Sequence, residues 1–135
     1  MKHKNKSFYS AVYHNHRYPR RGEIYYIEKG NSTSTGCETW SNRYGIIVSD
    51  NVTNKTENVI QIVYITTEPK SKTAMHVDVS TCSKNKIALC EQIIAVDKSR
   101  IVAYKGYIKN ERMQAIDTAL AYRLGLKLQT NILTT

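Results

Sequence analysis

At 135 residues the chain has the size of one domain, long enough to bury a modest apolar core without disulfide or metal staples. Its formal net charge is +9, but residues 1–22 hold six Lys and Arg with no Asp or Glu, which leaves fourteen basic against eleven acidic side chains in the remainder. Basicity therefore belongs to an N-terminal arm and the folded part has no overwhelming field of its own. The three cysteines, Cys37, Cys82 and Cys90, form no C-x-x-C pair and have no histidine at ligand spacing, which argues against a disulfide framework or a zinc site and suits a reducing cytoplasm.

In chain order, residues 1–20 are rich in Lys, Arg, His, Asn and Tyr without a sustained period, and Pro19 punctuates their end. They are expected to form a mobile arm. The spacing His14-Asn15-His16 supplies two imidazoles and makes no metal site. Glu23 to Glu28 is a short β-favouring run, and Gly30 to Asn42 is a loop rich in Ser, Thr and Gly. Tyr44 to Ser49 is a second strand, Asp50 to Asn58 a polar turn, and Val59 to Thr66 a third strand. Met75 to Val79 alternates with period two, Ile87 to Val96 is the longest strand candidate, and Ile101 to Ile108 is the last. Met113, Ile116, Leu120 and Leu124 then fall on one helical stripe, with Asn110 as N-cap and Gly125 as C-terminal stop.

Five or six short strands closed by one amphipathic helix predict an α+β, mainly β domain: a small barrel or curled antiparallel sheet with the helix packed on it. The arm is placed at 1–20, the barrel domain at 21–128 and a tail at 129–135. No apolar run approaches the roughly 18 residues of a membrane span, and the basic start Met1 to Lys6 leads into no secretory apolar core. A cytoplasmic chain off the membrane is expected, and the glycosylation-like triplets at Asn31 and Asn51 are then chance matches.

Two residues carry the chemistry most plainly. Arg43 precedes one apolar strand and Thr66 ends the next, an arrangement that can aim a planar guanidinium and a hydroxyl at a single phosphate. Glu91 and Gln92 interrupt an otherwise buried-looking run, where polar groups need partners or a task. The carboxylate of Glu91 either accepts hydrogen bonds from a neighbouring loop or faces a substrate. Trp40, the one tryptophan, either anchors its loop or stacks an unpaired base. Cys90 sits in an apolar strand, where a thiol behaves as a small hydrophobe rather than a nucleophile.

These segments resemble the MazF/PemK toxins of bacterial toxin-antitoxin pairs. The likeness covers roughly residues 20–126 and rests on Arg21-Gly22-Glu23-Ile24-Tyr25-Tyr26, Gly36-Cys37-Glu38-Thr39 with Arg43, Ile65-Thr66-Thr67, Met75-His76-Val77-Asp78-Val79, Leu89-Cys90-Glu91-Gln92-Ile93, Val96-Asp97-Lys98-Ser99-Arg100 and the helix ending Leu124-Gly125-Leu126. Each motif alone is weak, but six in the same order at compatible spacings, closed by the helix, are not. The resemblance implies an SH3-like barrel, a homodimer, a small acidic antitoxin partner, and metal-independent, cofactor-free cutting of single-stranded RNA to a 2′,3′-cyclic phosphate. It assigns Arg43, Thr66 and Glu91 to catalysis and Glu38, Thr39, Trp40, Thr67, His76 and Gln92 to RNA binding.

The chain departs from the family pattern at Tyr44, where proline is usual, at Thr39, where glutamine is usual, and at Ala74-Met75, which replaces Pro-Thr. Tyr44 removes a rigid strand entrance beside Arg43 and keeps open a member that binds RNA without cutting it. A gyrase-poisoning toxin is disfavoured, since no tryptophan follows Trp40 and the chain ends Asn131-Ile132-Leu133-Thr134-Thr135.

Overall fold

The computed structural model describes residues 18–28, 44–68, 73–80 and 85–127. Within them lie six strands, β1 (Glu23–Ile27), β2 (Tyr44–Ile47), β3 (Val59–Thr66), β4 (His76–Asp78), β5 (Ile87–Asp97) and β6 (Ile101–Tyr107), and two α-helices, α1 (Asn51–Thr56) and α2 (Asn110–Leu124). A single 3-10 turn, Lys98–Arg100, joins β5 to β6. All strand pairings are antiparallel and give one six-stranded sheet in the order β4-β5-β3-β2-β1-β6.

Period-two alternation builds two cores on the two faces of this sheet. On one face Ile46, Val63, Ile65, Val77, Ala88 and Cys90 pack with Met113, Ile116 and Ala119 of α2. On the other, Tyr25, Ile27, Ile47, Ile60, Ile62, Tyr64, Val96 and Ile101 are buried together, and every one belongs to a strand or a strand end. A sheet face covered by no helix among the described residues is buried only if the sheet curls around it. The sheet does so while remaining open between its edge strands, β4 and β6.

One irregularity stands out in the β3–β5 ladder. Val63 pairs with Ile93 and Ile65 with Ala88, so Tyr64 alone stands opposite the four residues Leu89, Cys90, Glu91 and Gln92. Extra residues on one strand bend it and increase its twist. The early half of β5 therefore reaches across to β4, where His76 pairs with Leu89 and Val77 with Ala88. The polar Glu91-Gln92 step that looks misplaced in an apolar run is the far side of this bulge.

Three local expectations are corrected. Asp50 to Asn58, read as a turn, contains α1, because Asp50 caps it by accepting from the Thr53 N–H at 2.9 Å and the fully buried Asn54 donates to the Ser49 carbonyl at 2.9 Å. Most of its residues are poor helix formers, so the cap and the buried side-chain contacts rather than propensity decide. Asn110 is the first helical residue of α2 and not its N-cap; Lys109 takes that place without a side-chain cap. Leu124 falls on the predicted stripe yet is 58% exposed, since the helix packs on β4 and β5 and its buried positions end at Ala121. Gly125 does stop the helix: it holds φ 71°, and the Leu126 N–H closes onto the Ala121 carbonyl at 2.8 Å.

Candidate active site

The antiparallel register sets which predicted residues meet. Gly45 pairs with Tyr64. Tyr44 precedes that pair by one residue and Thr66 follows it by two, so the entrance of β2 and the exit of β3 lie at the same end of the sheet. Thr66 pairs in turn with Ile87, the first residue of β5. Arg43 is joined by its peptide bond to Tyr44 but lies outside the described residues, as do Glu38, Thr39 and Trp40.

Alternation then assigns faces. Ile65 and Val77 belong to the core under α2, so their neighbours Thr66 and His76 face the opposite, inward-curling side, the side of Tyr64. Thr66 is only 5% exposed, and its Oγ1 accepts from the Glu68 N–H at 3.1 Å. With that contact occupying a lone pair, the hydroxyl hydrogen is left to be donated to another group. Thr67, the next residue, is exposed beyond the strand end.

His76 and Glu91 form the second part of the site. Nε2 of His76 lies 3.2 Å from Oε2 of Glu91, with the side chains 14% and 30% exposed. The Cys90 N–H donates to the Met75 carbonyl at 2.9 Å and fixes the two strands beside this pair. Oε1 of Glu91 and Oε1 of Gln92 are both buried without a hydrogen-bond partner among the described residues. Such acceptors are uncommon in folded proteins and mark places where a water or a ligand is received.

Cys90 is wholly buried in the core under α2. Burial, reinforced by the negative charge of Glu91, pushes its thiol from the ordinary 9.0 up to about 12. A thiol held protonated is no nucleophile, which agrees with its reading as a small hydrophobe.

The structure thus joins Glu91 to His76 directly and puts Thr66 on the same side of the sheet. The His76–Glu91 contact was missed from sequence, although the period-two pattern of Met75 to Val79 already set His76 opposite to the buried Val77. Also unforeseen was a ring contact on the other face: Tyr44, 41% exposed, meets Tyr26 edge-to-face at 5.5 Å and 72°. The residue that departs from the family's proline is therefore secured by a cross-strand aromatic pair, β1 and β2 being in register at Tyr26 and Tyr44.

Residues 20–124 match the family of PemK-like, MazF-like toxins of type II toxin-antitoxin systems. Among curated proteins, an endoribonuclease MazF from Staphylococcus saprophyticus is 28% identical over 112 residues, covering 79% of this chain and 92% of its own. A crystal structure of MazF from Deinococcus radiodurans superposes with a TM-score of 0.69 at 16% identity, covering 81% of this chain and 98% of that one. A mycobacterial endoribonuclease solved in complex with its cognate antitoxin gives a TM-score of 0.65 at 24% identity over 82% and 99% of the two chains. At such identities these structural likenesses establish the fold.

Proposed function

Because the chain belongs to the family of PemK-like, MazF-like toxins of type II toxin-antitoxin systems, we propose that it is an endoribonuclease that cuts single-stranded RNA. The substrate supplies its own nucleophile. The 2′-hydroxyl attacks the adjacent phosphate, the bond to the 5′-oxygen breaks, and a 2′,3′-cyclic phosphate remains on the upstream fragment. Arg43 stabilises the charge that develops on the phosphate oxygens, a role that a permanently charged planar fork fills well and that a general base of such high pKa would not. Thr66 donates its hydroxyl to the same phosphate. Glu91 orients the attacking hydroxyl, while Glu38, Thr39, Trp40, Thr67 and Gln92 hold the flanking nucleotides.

The observation that carries this reading is the end of β3. Thr66 is buried at the edge of the inward face, its oxygen already accepting from the Glu68 N–H, beside the strand entrance that follows Arg43. The curated relative named as an endoribonuclease supports it independently. No helix among the described residues is long and apolar enough to cross a membrane.

A solved relative occurs with its cognate antitoxin, and for this chain we infer the same kind of partner, a small acidic protein whose flexible segment competes with RNA for the Arg43 site. The toxin itself acts as a homodimer, the commonest symmetry of soluble assemblies. Residues 21–128 form the catalytic domain, residues 1–20 add sequence-independent RNA affinity by counterion release, and 129–135 are a tail. Incubating the purified protein with a long RNA in EDTA tests the central claim. Discrete fragments ending in a cyclic phosphate are expected; RNA left intact under all conditions would reduce the protein to an RNA-binding module.

A further inference from the structure

Glu91 is held asymmetrically. Its Oε2 meets Nε2 of His76 at 3.2 Å, whereas its Oε1 is buried without a partner among the described residues. A carboxylate only accepts hydrogen bonds, so in this contact Nε2 is the donor and the imidazole is committed to Glu91 through that nitrogen. That commitment argues against His76 reading RNA through Nε2, the role the sequence suggested.

The surroundings make the contact a firm one. His76 pairs with Leu89 across β4 and β5, and the Cys90 N–H donates to the Met75 carbonyl at 2.9 Å. The backbones on both sides of the pair are therefore tied together immediately before Glu91. Glu91 follows Leu89 by two residues, so alternation puts it on the same face as His76 and diagonal to it, within the four residues that stand opposite Tyr64. His76 is turned away from the core under α2, as Thr66 is, so the pair it forms with Glu91 is on the Thr66 side of the sheet.

We propose that His76 is a positioning residue for RNA cleavage: it fixes the Glu91 carboxylate through Oε2 so that Oε1 receives the hydrogen of the attacking 2′-hydroxyl. This rests on the endoribonuclease reading above. In the step so assisted, the 2′-oxygen bonds to phosphorus as the bond from phosphorus to the 5′-oxygen breaks. The 2′-hydroxyl proton passes to Oε1, and the departing 5′-oxygen takes a proton from water. Without His76 the carboxylate still exists but swings freely, and a displacement of about 1 Å at a catalytic group is enough to cost on the order of 100-fold in rate.

The test is a double-mutant cycle on an RNA oligonucleotide containing one site mapped beforehand on a long transcript. Wild type, His76→Ala, Glu91→Gln and the double variant are compared for kcat and KM, with circular dichroism to confirm folding. His76→Ala is expected to lower kcat about 10- to 100-fold with KM within about twofold. The double variant should be no slower than Glu91→Gln alone, because a residue acting through Glu91 has nothing left to position. His76→Gln, which keeps an N–H donor for Oε2, should recover most of the rate. Independent, multiplying losses in the double variant, or a His76→Ala enzyme as fast as wild type, would overturn the proposal. Where alanine unfolds the protein, His76→Asn, too short to reach Oε2, gives the same comparison. A wild-type protein that cuts no RNA would instead overturn the endoribonuclease reading and this proposal with it.

Discussion

Arg21 and Asp117, separated by 96 residues of sequence, meet at 2.6 Å and clasp the entry of β1 to α2. The same guanidinium donates through Nε to the Val48 carbonyl at 2.9 Å, while the Arg21 backbone N–H donates to Asn51 Oδ1 at 2.8 Å. The ion pair itself is partly exposed and contributes little, about 0–1 kcal/mol. The hydrogen bond to the carbonyl of buried Val48 matters more, since losing its donor leaves a polar group to be resolvated at about 1–3 kcal/mol. Arg21→Ala is therefore expected to lower the urea midpoint clearly and Asp117→Asn only slightly. Equal effects would mean that the ion pair, not the carbonyl contact, holds the clasp.

Among the described glycines, Gly45 is the one with least room for a side chain. A Cβ there would stand 2.8 Å from Cδ1 of Ile62 and 3.2 Å from Cγ1 of Ile27, both buried in the inner core. Gly45→Ala is expected to destabilise by about 1–3 kcal/mol through overpacking. Adding Ile62→Val removes the offending δ-methyl and should return part of that loss, a coupling visible in a cycle of four denaturation curves. Strict additivity would show that the cost arises elsewhere.

This glycine illustrates what the sequence could and could not disclose. Strand runs such as Val59 to Thr66 were legible because period and composition agree with the sheet that buries them. The stripe Met113, Ile116 and Leu120 was legible for the same reason, and Leu124 failed because periodicity says which side a residue faces, not how far the neighbouring sheet extends. Helix α1 was hidden, its stability residing in side-chain contacts that periodicity does not show: Asn51 with Arg21 thirty residues before it and the buried Asn54 with Ser49. At the site, residue types pointed to Thr66, His76 and Glu91 one by one. The β4–β5 register, which sets His76 opposite Leu89 and so beside Glu91 two residues on, brings His76 and Glu91 together, and no local signature discloses it.

Cys90 offers a pH-dependent check on the core under α2. Its thiol is pushed from the ordinary 9.0 up to about 12, first by burial and then by the Glu91 charge. The folded state thus holds a proton that the unfolded chain releases above about pH 9. The associated stability is complete below pH 9 and is lost as pH rises from there toward 12. Relative to Cys90→Ala, in which all other titrations cancel, the wild-type advantage in urea midpoint should shrink between pH 8 and pH 10. A constant difference would place the thiol in a more polar setting. In a Cys37→Ser, Cys82→Ser background, iodoacetamide at pH 8 should likewise label Cys90 only after unfolding.

The sharpest catalytic prediction concerns Thr66, because its hydroxyl has two tasks that substitution can separate. The oxygen accepts from the Glu68 N–H at 3.1 Å, which orders the turn leaving β3, and the hydrogen is proposed to reach the scissile phosphate. Thr66→Ser keeps both tasks and should cut RNA within a few-fold of wild type. Thr66→Val keeps the shape of the buried side chain but neither the acceptor nor the donor, so cleavage should fall about 10²- to 10³-fold, the loss expected for one preorganised donor to a developing charge. Arg43→Ala should fall at least as far, since it removes a full charge rather than a dipole. RNA retention, measured with a 2′-O-methyl substrate that cannot react, should change little for Thr66→Val. If Thr66→Val instead cleaves within a few-fold of wild type, Thr66 is a turn residue only and the phosphate must be held from elsewhere; if it loses binding in proportion to rate, the hydroxyl holds the ground state rather than the transition state.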